Sequence, residues 1–383
     1  MVAVAGSGPA GLMAAWVVAE AGHPVTLYEK RPAAGRKLLI AGSSGLNVTY
    51  DAPLPELLAA YRAPDTRMAE MVAAFRPREW LAFIETLGVK TFRGTSRRWF
   101  VGGLKAPPLL QRWLEALEAR GVQFAYQKEC VGFSSGGVLR FADGTEARHD
   151  AAALCLGGGS WEKTPVRWPE MFRENGVAFN EFCPANIGWR VSWPEKFLAE
   201  AEGKPLKNVV LTSSRGKRAG DLVVTAYGIE GTPVYFVGER GVVHLDLKPD
   251  LTDGQVLERL QAPKENLSPM RRVAKSLRLC EASRALLYHM AACADLDSTA
   301  RAVKKFPLEL LGTQPLEEAI SSAGGVDWSE LDEHLMLKSF PGIFVAGEMI
   351  DWDAPTGGFL IQGCVAQGRA AGEGILKYLA ARC

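Results

Sequence analysis

Residues 1–11 read MVAVAGSGPAG, and residues 24–29 read PVTLYE. The first stretch is an apolar strand running into Gly6, Gly8 and Gly11; the second is another strand, closed by Glu29. Each position has its own physical task around a dinucleotide. Gly6 permits the tight turn after the strand, Gly8 lets the backbone approach a pyrophosphate, and Gly11 lets the next helix lie close to the sheet. A helix from about Pro9 to Ala21 then aims its N-terminal amides and its dipole at the phosphates. Pro9 suits the first turn, where its missing N–H leaves no bond unmade. Glu29 lies 18 residues beyond Gly11 and offers a carboxylate to both ribose hydroxyls, which favours FAD or NAD over NADP. A lone GxGxxG says little, because glycine turns are common. Strand, glycines, helix, strand and acid in this order within 29 residues are far more specific.

The remaining composition narrows the class without naming a substrate. A chain of 383 residues exceeds one small core, so two domains are expected. Charged residues make up 23% and the net charge is +1, which exerts no general pull toward nucleic acid or anionic lipid. Two short basic runs, Arg215 to Arg218 and Arg271-Arg272 with Lys275 and Arg278, read as solvated faces. Seven cysteines are scattered with no CxxC and no histidine at metal spacing, so reduced thiols, no metal site and a cytoplasmic location are expected. Cys155 and Cys364 lie in apolar or Gly-rich stretches as small fillers. No apolar run reaches membrane-span length, and the apolar start lacks the basic residues of a signal peptide. The first strand is short, so a few native residues are expected upstream of Met1.

Along the chain, the glycine-rich, basic segment GRKLLIAGSSGLNVT spans Gly35 to Thr49. Strand patterns at Val122–Tyr126, Cys130–Phe133, Val138–Phe141 and Glu146–His149 predict a small antiparallel set, with Asp143-Gly144 as a hairpin turn. The fully apolar run Ala151 to Leu156 reads as a central strand of a parallel sheet. Strand patterns, Val234–Val237 among them, dominate from about Ile187 to Leu247, and helical ones from about Leu251 to Leu311. Nucleotide-type elements therefore occupy both ends of the chain, which predicts one discontinuous domain carrying an insertion. The expected division is 1–186 with 312–383 for the nucleotide domain, 187–250 for a β-rich insert and 251–311 for a helical subdomain.

The C-terminal stretch GIFVAGEMIDWDAPTGGF supplies a second site for a ligand. An apolar strand ends in Gly347-Glu348, the chain turns through Asp351 and Asp353, and the last helix begins just after Gly357-Gly358. A glycine-lined helix N-terminus presents backbone donors to an electron-rich group. In a flavoprotein that group is the N1–C2=O edge of the flavin, which becomes anionic on reduction, so the arrangement would favour the reduced form.

GSGPAG with Glu29, GRKLLIAGSSGLNVT, LCLGGGSWEKT (154–164), TAYGIEG (225–231) and AGEMIDWDAPTGGF (346–359) together resemble the BaiN-like family of NAD(P)/FAD-dependent oxidoreductases. The matches span almost the full length. The resemblance implies an α/β fold, namely a discontinuous Rossmann-type FAD-binding domain with an inserted β-barrel-like domain and a helical subdomain. It further implies that Gly6, Gly8, Pro9, Ala10 and Gly11 line the pyrophosphate, Glu29 holds the adenosine ribose, and Lys30 and Arg31 flank the adenosine half. Gly42, Ser43, Ser44, Gly45 and Asn47 would border the isoalloxazine, Glu348 the ribityl chain, and Gly357, Gly358 and Phe359 the pyrimidine edge. Many members carry Arg-Cys before the Asn of the loop; this chain has Gly45-Leu46-Asn47 and no thiol there.

Lys37 and Lys163 lie in these motifs as candidate cations near flavin or substrate, and Tyr227 is a candidate proton donor, its phenol being an acid rather than a base near neutral pH. Trp99 and Phe100 beside Arg97 and Arg98 could stack on an aromatic ligand, or be core with surface arginines. A second nucleotide fingerprint is absent, since Leu156 to Ser160 lacks a following helix and acid; NAD(P)H would have to dock transiently. The expected activity is an FAD-dependent oxidoreductase, with non-covalent FAD, reducing an enone-like small molecule. Two other readings remain open: a flavoenzyme acting on RNA through Arg271, Arg272, Lys275 and Arg278, and a non-enzymatic FAD redox sensor.

Overall fold

Val2–Ala5 contains only small or branched apolar residues, all essentially without solvent exposure, as a strand covered on both faces requires. It sits in the middle of a five-stranded parallel sheet in the computed structural model, which describes residues 1–382 except 44, 163–165 and 264–265. The order is Ile343–Val345, Ala151–Leu154, Val2–Ala5, Val25–Glu29, Gln123–Tyr126. Ala151–Leu154 thus lies between the first and the last strand, as its uninterrupted apolar run predicts. The stretch around Val122–Tyr126 departs from expectation: it is the parallel edge strand next to Val25–Glu29. The antiparallel meander contains only Cys130–Ser134, Val138–Phe141 and Glu146–Arg148.

Helix Pro9–Glu20 starts at the glycine turn with proline in its first turn and buries nine residues, among them Leu12, Met13 and Val18. Truncating a fully buried leucine here would destabilise by about 2–5 kcal/mol. The helix stops where Gly22 takes φ +84° and its N–H reaches back to the Ala19 carbonyl. Helix Phe359–Ala380 packs along it through its glycines: a Cβ on Gly368 would lie 2.2 Å from the Ala10 carbonyl oxygen, and one on Gly372 would lie 2.7 Å from Val17 Cβ. The two chain ends are joined by this close approach, so the nucleotide domain is discontinuous by packing as well as by sequence.

Two compact units result, Met1–Ala185 with Ile320–Cys383, and Asn186–Ala319. The second contains a seven-stranded antiparallel sheet and the helices Asp253–Gln261, Pro269–Ser276, Glu281–Met290 and Leu296–Lys304. Three expectations are corrected in it. Val234–Val237 belongs to a helix, Thr232–Val237, begun by Pro233 in its first turn. Residues 251–311 are no separate body, because Phe306–Leu310 pairs with Gly241–Asp246 in the sheet. The return to the nucleotide domain comes at Ile320 rather than 312, because Gly312–Thr313 is still paired with Trp189–Arg190. Among the described residues no helix is long and apolar enough to cross a membrane.

Candidate cofactor site

The three glycines of the first turn differ in what surrounds them. A Cβ on Gly6 (φ +103°) would lie 2.1 Å from the Cys155 carbonyl oxygen, and one on Gly11 would lie 1.9 Å from the Gly6 carbonyl oxygen. These two are required by the fold. Gly8 has φ −73° and ψ 176°, open to any residue, and a Cβ there would meet nothing within 4 Å. It faces a cavity of about 100 Å³ whose wall also includes Ser7, Glu29, Arg31 and Lys128. Helix Pro9–Glu20 has no side-chain cap and no acidic residue in its own first turn, so its first amides are left as donors. The Glu29 carboxylate is held in place by the Ser7 N–H at 3.1 Å, the Ser7 hydroxyl and the Arg31 N–H at 2.8 Å.

Charge is concentrated on one wall of this cavity. Glu162, 7% exposed, is met by Arg31 at 2.8 Å, Lys30 at 3.5 Å, Lys37 at 3.8 Å and Arg36 at 4.0 Å. Burial by itself would raise the Glu162 carboxyl, but the four cations together hold it below its ordinary value. One carboxylate among four cations leaves a surplus of positive charge suited to a diphosphate.

Lys37 also lines a second cavity, of about 430 Å³, together with Ser43, Asn47, Glu348, Gly357 and Gly358. Helix Phe359–Ala380 opens onto it with Gly358 as N-cap, again without a side-chain cap or an acidic first turn. Gly357 and Gly358 hold φ +104° and +101°, and a Cβ on Gly358 would lie 2.4 Å from the Thr49 backbone nitrogen. The preceding loop is braced from its acidic side chains: Asp351 accepts from Asn180 at 2.9 Å and from the Gly324 N–H at 3.0 Å, and Asp353 is paired with Arg62. Burial raises the Glu348 carboxyl, against the nearby Lys37 and with help from Asp353. Burial lowers the Lys37 ammonium, against Glu348 and Glu162. Lys37 keeps a bond of 2.9 Å to the Gly158 carbonyl. Burial also raises the Cys364 thiol well above its ordinary value, so at the cavity wall it is a neutral thiol.

Of the residues singled out from sequence, Gly6, Gly8, Glu29, Lys30 and Arg31 line the first cavity, and Pro9, Ser43, Gly45, Asn47, Glu348, Gly357 and Gly358 the second. Ala10, Gly11, Gly42, Gly347 and Phe359 stand behind these walls. A Cβ on Gly42 would lie 2.5 Å from Ala106 Cβ, and Phe359 is stacked on Tyr50 at 4.9 Å. Ser44 and Lys163 lie outside the described residues. Ser7, Arg36, Gly157 and Glu162 are cavity residues that sequence reading passed over. Glu162 stood inside the quoted LCLGGGSWEKT motif, and its separation of 131 residues from Arg31 concealed their pairing. The wall chemistry fits FAD at both halves: Arg31 Nε and Asn47 Oδ1 are buried polar atoms without a partner, one in each cavity wall. Leu156 to Ser160 runs into a turn at Trp161, and among the described residues no cluster could hold a metal ion.

Tyr227 lies in the second unit, in the turn between strands Gly216–Thr225 and Gly228–Glu230. Its hydroxyl donates to Glu230, and burial with that carboxylate raises the phenol above its ordinary value. Arg272 is a structural brace, donating to the Leu267, Leu260 and Pro263 carbonyls at 2.9–3.1 Å. Lys275 and Arg278 share an open depression with Lys248 and Arg259. Arg97 pairs with Glu56 of helix Leu54–Leu58, and Phe100 stacks on Phe92 across the sheet.

Residues 1–374 match the family described as HI0933-like protein Rossmann domain. A 3-ketosteroid-Δ4-(5α)-dehydrogenase from Rhodococcus jostii RHA1, in complex with 4-androstene-3,17-dione, is 14% identical with a TM-score of 0.53, over 97% of this chain and 95% of that one. A 3-ketosteroid Δ1-dehydrogenase from Sterolibacterium denitrificans, in complex with 1,4-androstadiene-3,17-dione, is 12% identical with a TM-score of 0.52, over 98% and 99%. The open conformation of a flavocytochrome c3 fumarate reductase is 16% identical with a TM-score of 0.53, over 99% and 78%. At such identities the likeness is one of fold. The full-length match and the two glycine-capped helix N-termini agree: the chain belongs to the HI0933-like family of FAD-binding Rossmann oxidoreductases.

Proposed function

We propose that the protein binds FAD non-covalently across the two cavities, is reduced by transiently docked NADH or NADPH, and reduces an enone-like small organic substrate. The observation that carries this reading is the pair of uncapped, glycine-led helix N-termini, each opening onto a cavity, with Lys37 lining both. Bound FAD supplies hydride transfer at flavin N5. The chain's own residues account for the rest. Gly8 and the amides after it take the diphosphate, and Glu29 takes the adenosine ribose. Lys37, Asn47 and Glu348 offer polar groups to the flavin half. Leu38, Ile40, Leu360 and Ile361 in the second cavity's wall exclude water from that half.

The substrate class is supported by analogy, and the flavin half by volume: a cavity of about 430 Å³ falls within the range of small-molecule sites, roughly 300–1,000 Å³. The two ketosteroid dehydrogenases hold compounds that are enones by their names. Tyr227, kept protonated by Glu230 and burial, is the proposed proton donor, and Lys37 the proposed cation at the flavin.

Anaerobic mixing of FAD-loaded protein with NADH and NADPH in separate runs tests the reading. Flavin absorbance should bleach with one of them and return on adding an enone. Failure of the reconstituted protein to retain FAD would refute the cofactor assignment, and FAD retention without any bleaching would refute the reductant. The basic depression at Lys248, Arg259, Lys275 and Arg278 favours the RNA-acting reading as second choice. Steeply salt-dependent retention on RNA would support it, and no retention at low salt would remove it.

A further inference from the structure

We propose that Glu162 is a positioning residue that fastens segment 157–162 across the walls of both cavities and so sets how long the cofactor stays bound. The inference rests on the FAD reading above. Segment 157–162 touches each half of the site: Gly157 and Glu162 line the adenosine cavity, and Trp161 lines the flavin cavity. Its backbone is not self-supporting. Trp161 takes φ +54°, a region that a bulky residue enters only when its surroundings impose it.

Apart from the Gly159 N–H, which donates to Ser322 Oγ at 2.9 Å, the side-chain fasteners come from residues 30–37. Arg36 donates to the Trp161 carbonyl at 2.7 Å, Lys37 to the Gly158 carbonyl at 2.9 Å, and Arg31 to the Glu162 carboxylate at 2.8 Å. Glu162 is the acceptor that Lys30, Arg31, Arg36 and Lys37 share, and it is far more buried than any of them. Without its charge, four cations would face one another with no anion between them, and the segment would lose its side-chain anchor.

A carboxylate beside a diphosphate site has an alternative account as a bystander, and the two accounts differ in sign. Removing a negative charge from an anion site makes encounter with FAD more favourable, so a bystander Glu162 predicts tighter binding in Glu162→Gln. A fastening Glu162 predicts faster release that outweighs any gain in association.

The test measures FAD association and dissociation by stopped-flow flavin fluorescence in wild type, E162Q and E162D, with circular dichroism to verify folding of each apo protein. The expected result for E162Q is dissociation faster by about tenfold or more, by analogy with the affinity lost when an outer partner of a metal ligand is removed. Association should not slow, and E162D, which keeps the charge on a shorter arm, should fall between E162Q and wild type. If E162Q does not fold, E162D carries the test, because it keeps the charge and changes only the reach to Arg31; release faster than wild type is again expected. Unchanged or slower release in the folded variant overturns the proposal. Wild-type protein that holds no FAD overturns the cofactor reading instead.

Discussion

Substituting alanine separately at Gly8 and Gly6 should split cofactor binding from folding. At Gly8 the backbone already has φ −73° and ψ 176°, and the added methyl enters open space. Two small terms then oppose each other in the apo protein. Alanine is a poorer N-cap than glycine, by about 0.5–1 kcal/mol, whereas a stiffer unfolded chain returns about 0.4–1 kcal/mol. The net change in apo stability should stay within about 1 kcal/mol. Binding should fare quite differently, because the methyl occupies the space through which a diphosphate reaches the helix amides. Losing two charge-assisted hydrogen bonds at about 1.5–3 kcal/mol each weakens FAD by at least about a hundredfold. At Gly6 the balance reverses. A Cβ 2.1 Å from the Cys155 carbonyl oxygen, at φ +103°, meets backbone on a central strand that cannot move aside. Gly6→Ala should lower apo stability by about 3 kcal/mol or more. Urea melts of the apo proteins, with flavin-fluorescence titration for the FAD dissociation constant, read both quantities. Wild-type FAD affinity in G8A, or a loss of apo stability in G8A as large as in G6A, would refute the assignment of Gly8 to the diphosphate.

Four further outcomes are expected. Gly368→Ala should destabilise the apo protein by about 1–3 kcal/mol, because its Cβ would lie 2.2 Å from the Ala10 carbonyl oxygen. Gly254→Ala, in an exposed helix with nothing within 4 Å, should stabilise by about 0.5–1 kcal/mol in the same melts; equal signs would contradict the packing argument. Glu348 keeps its proton to a higher pH when folded than when unfolded, so its contribution is fully present below about pH 4.5 and is lost as pH rises through the folded value. Glu348→Gln should therefore flatten the decline of apo melting temperature just above pH 4.5, and parallel profiles would exclude the effect. Tyr227→Phe should leave FAD affinity unchanged and reduce turnover of an enone by about a hundredfold or more, as loss of a general acid does; near-normal turnover would remove Tyr227 as the donor.

Much of the fold was legible because its signals are local. Val2–Ala5 and Ala151–Leu154 are uninterrupted apolar runs, which only a strand covered on both faces accommodates in water. Pro9 after the glycine turn marks a helix start from its own chemistry. The misreadings came where one pattern suits two structures. Val234–Val237 is β-branched and aromatic, yet the positive φ of Gly231 and the Pro233 ring begin a helix there. Gln123–Tyr126 is a strand as read, but its alternation does not say which neighbour it will pair with, and Val25–Glu29 offered the parallel edge.

The sequence by itself marked a dinucleotide-type turn and the family it belongs to, because a turn, a helix start and an acid at the end of a strand are all encoded within one short stretch. It also determined that the two ends of the chain share one domain, since each carries its own apolar strand and glycine-led helix. The tertiary structure gave the distances behind the division among the three glycines: Gly6 and Gly11 are closed in by backbone, and Gly8 faces open space. It alone brought Glu162 to Lys30, Arg31, Arg36 and Lys37, and set Lys37 in the walls of both cavities. The reason is physical: a glycine's role depends on which atoms lie where its side chain would be, and a carboxylate's on which cations surround it. For Gly6 against Cys155 and for Glu162 against its cations, those contacts join segments more than a hundred residues apart, to which spacing along the chain is blind.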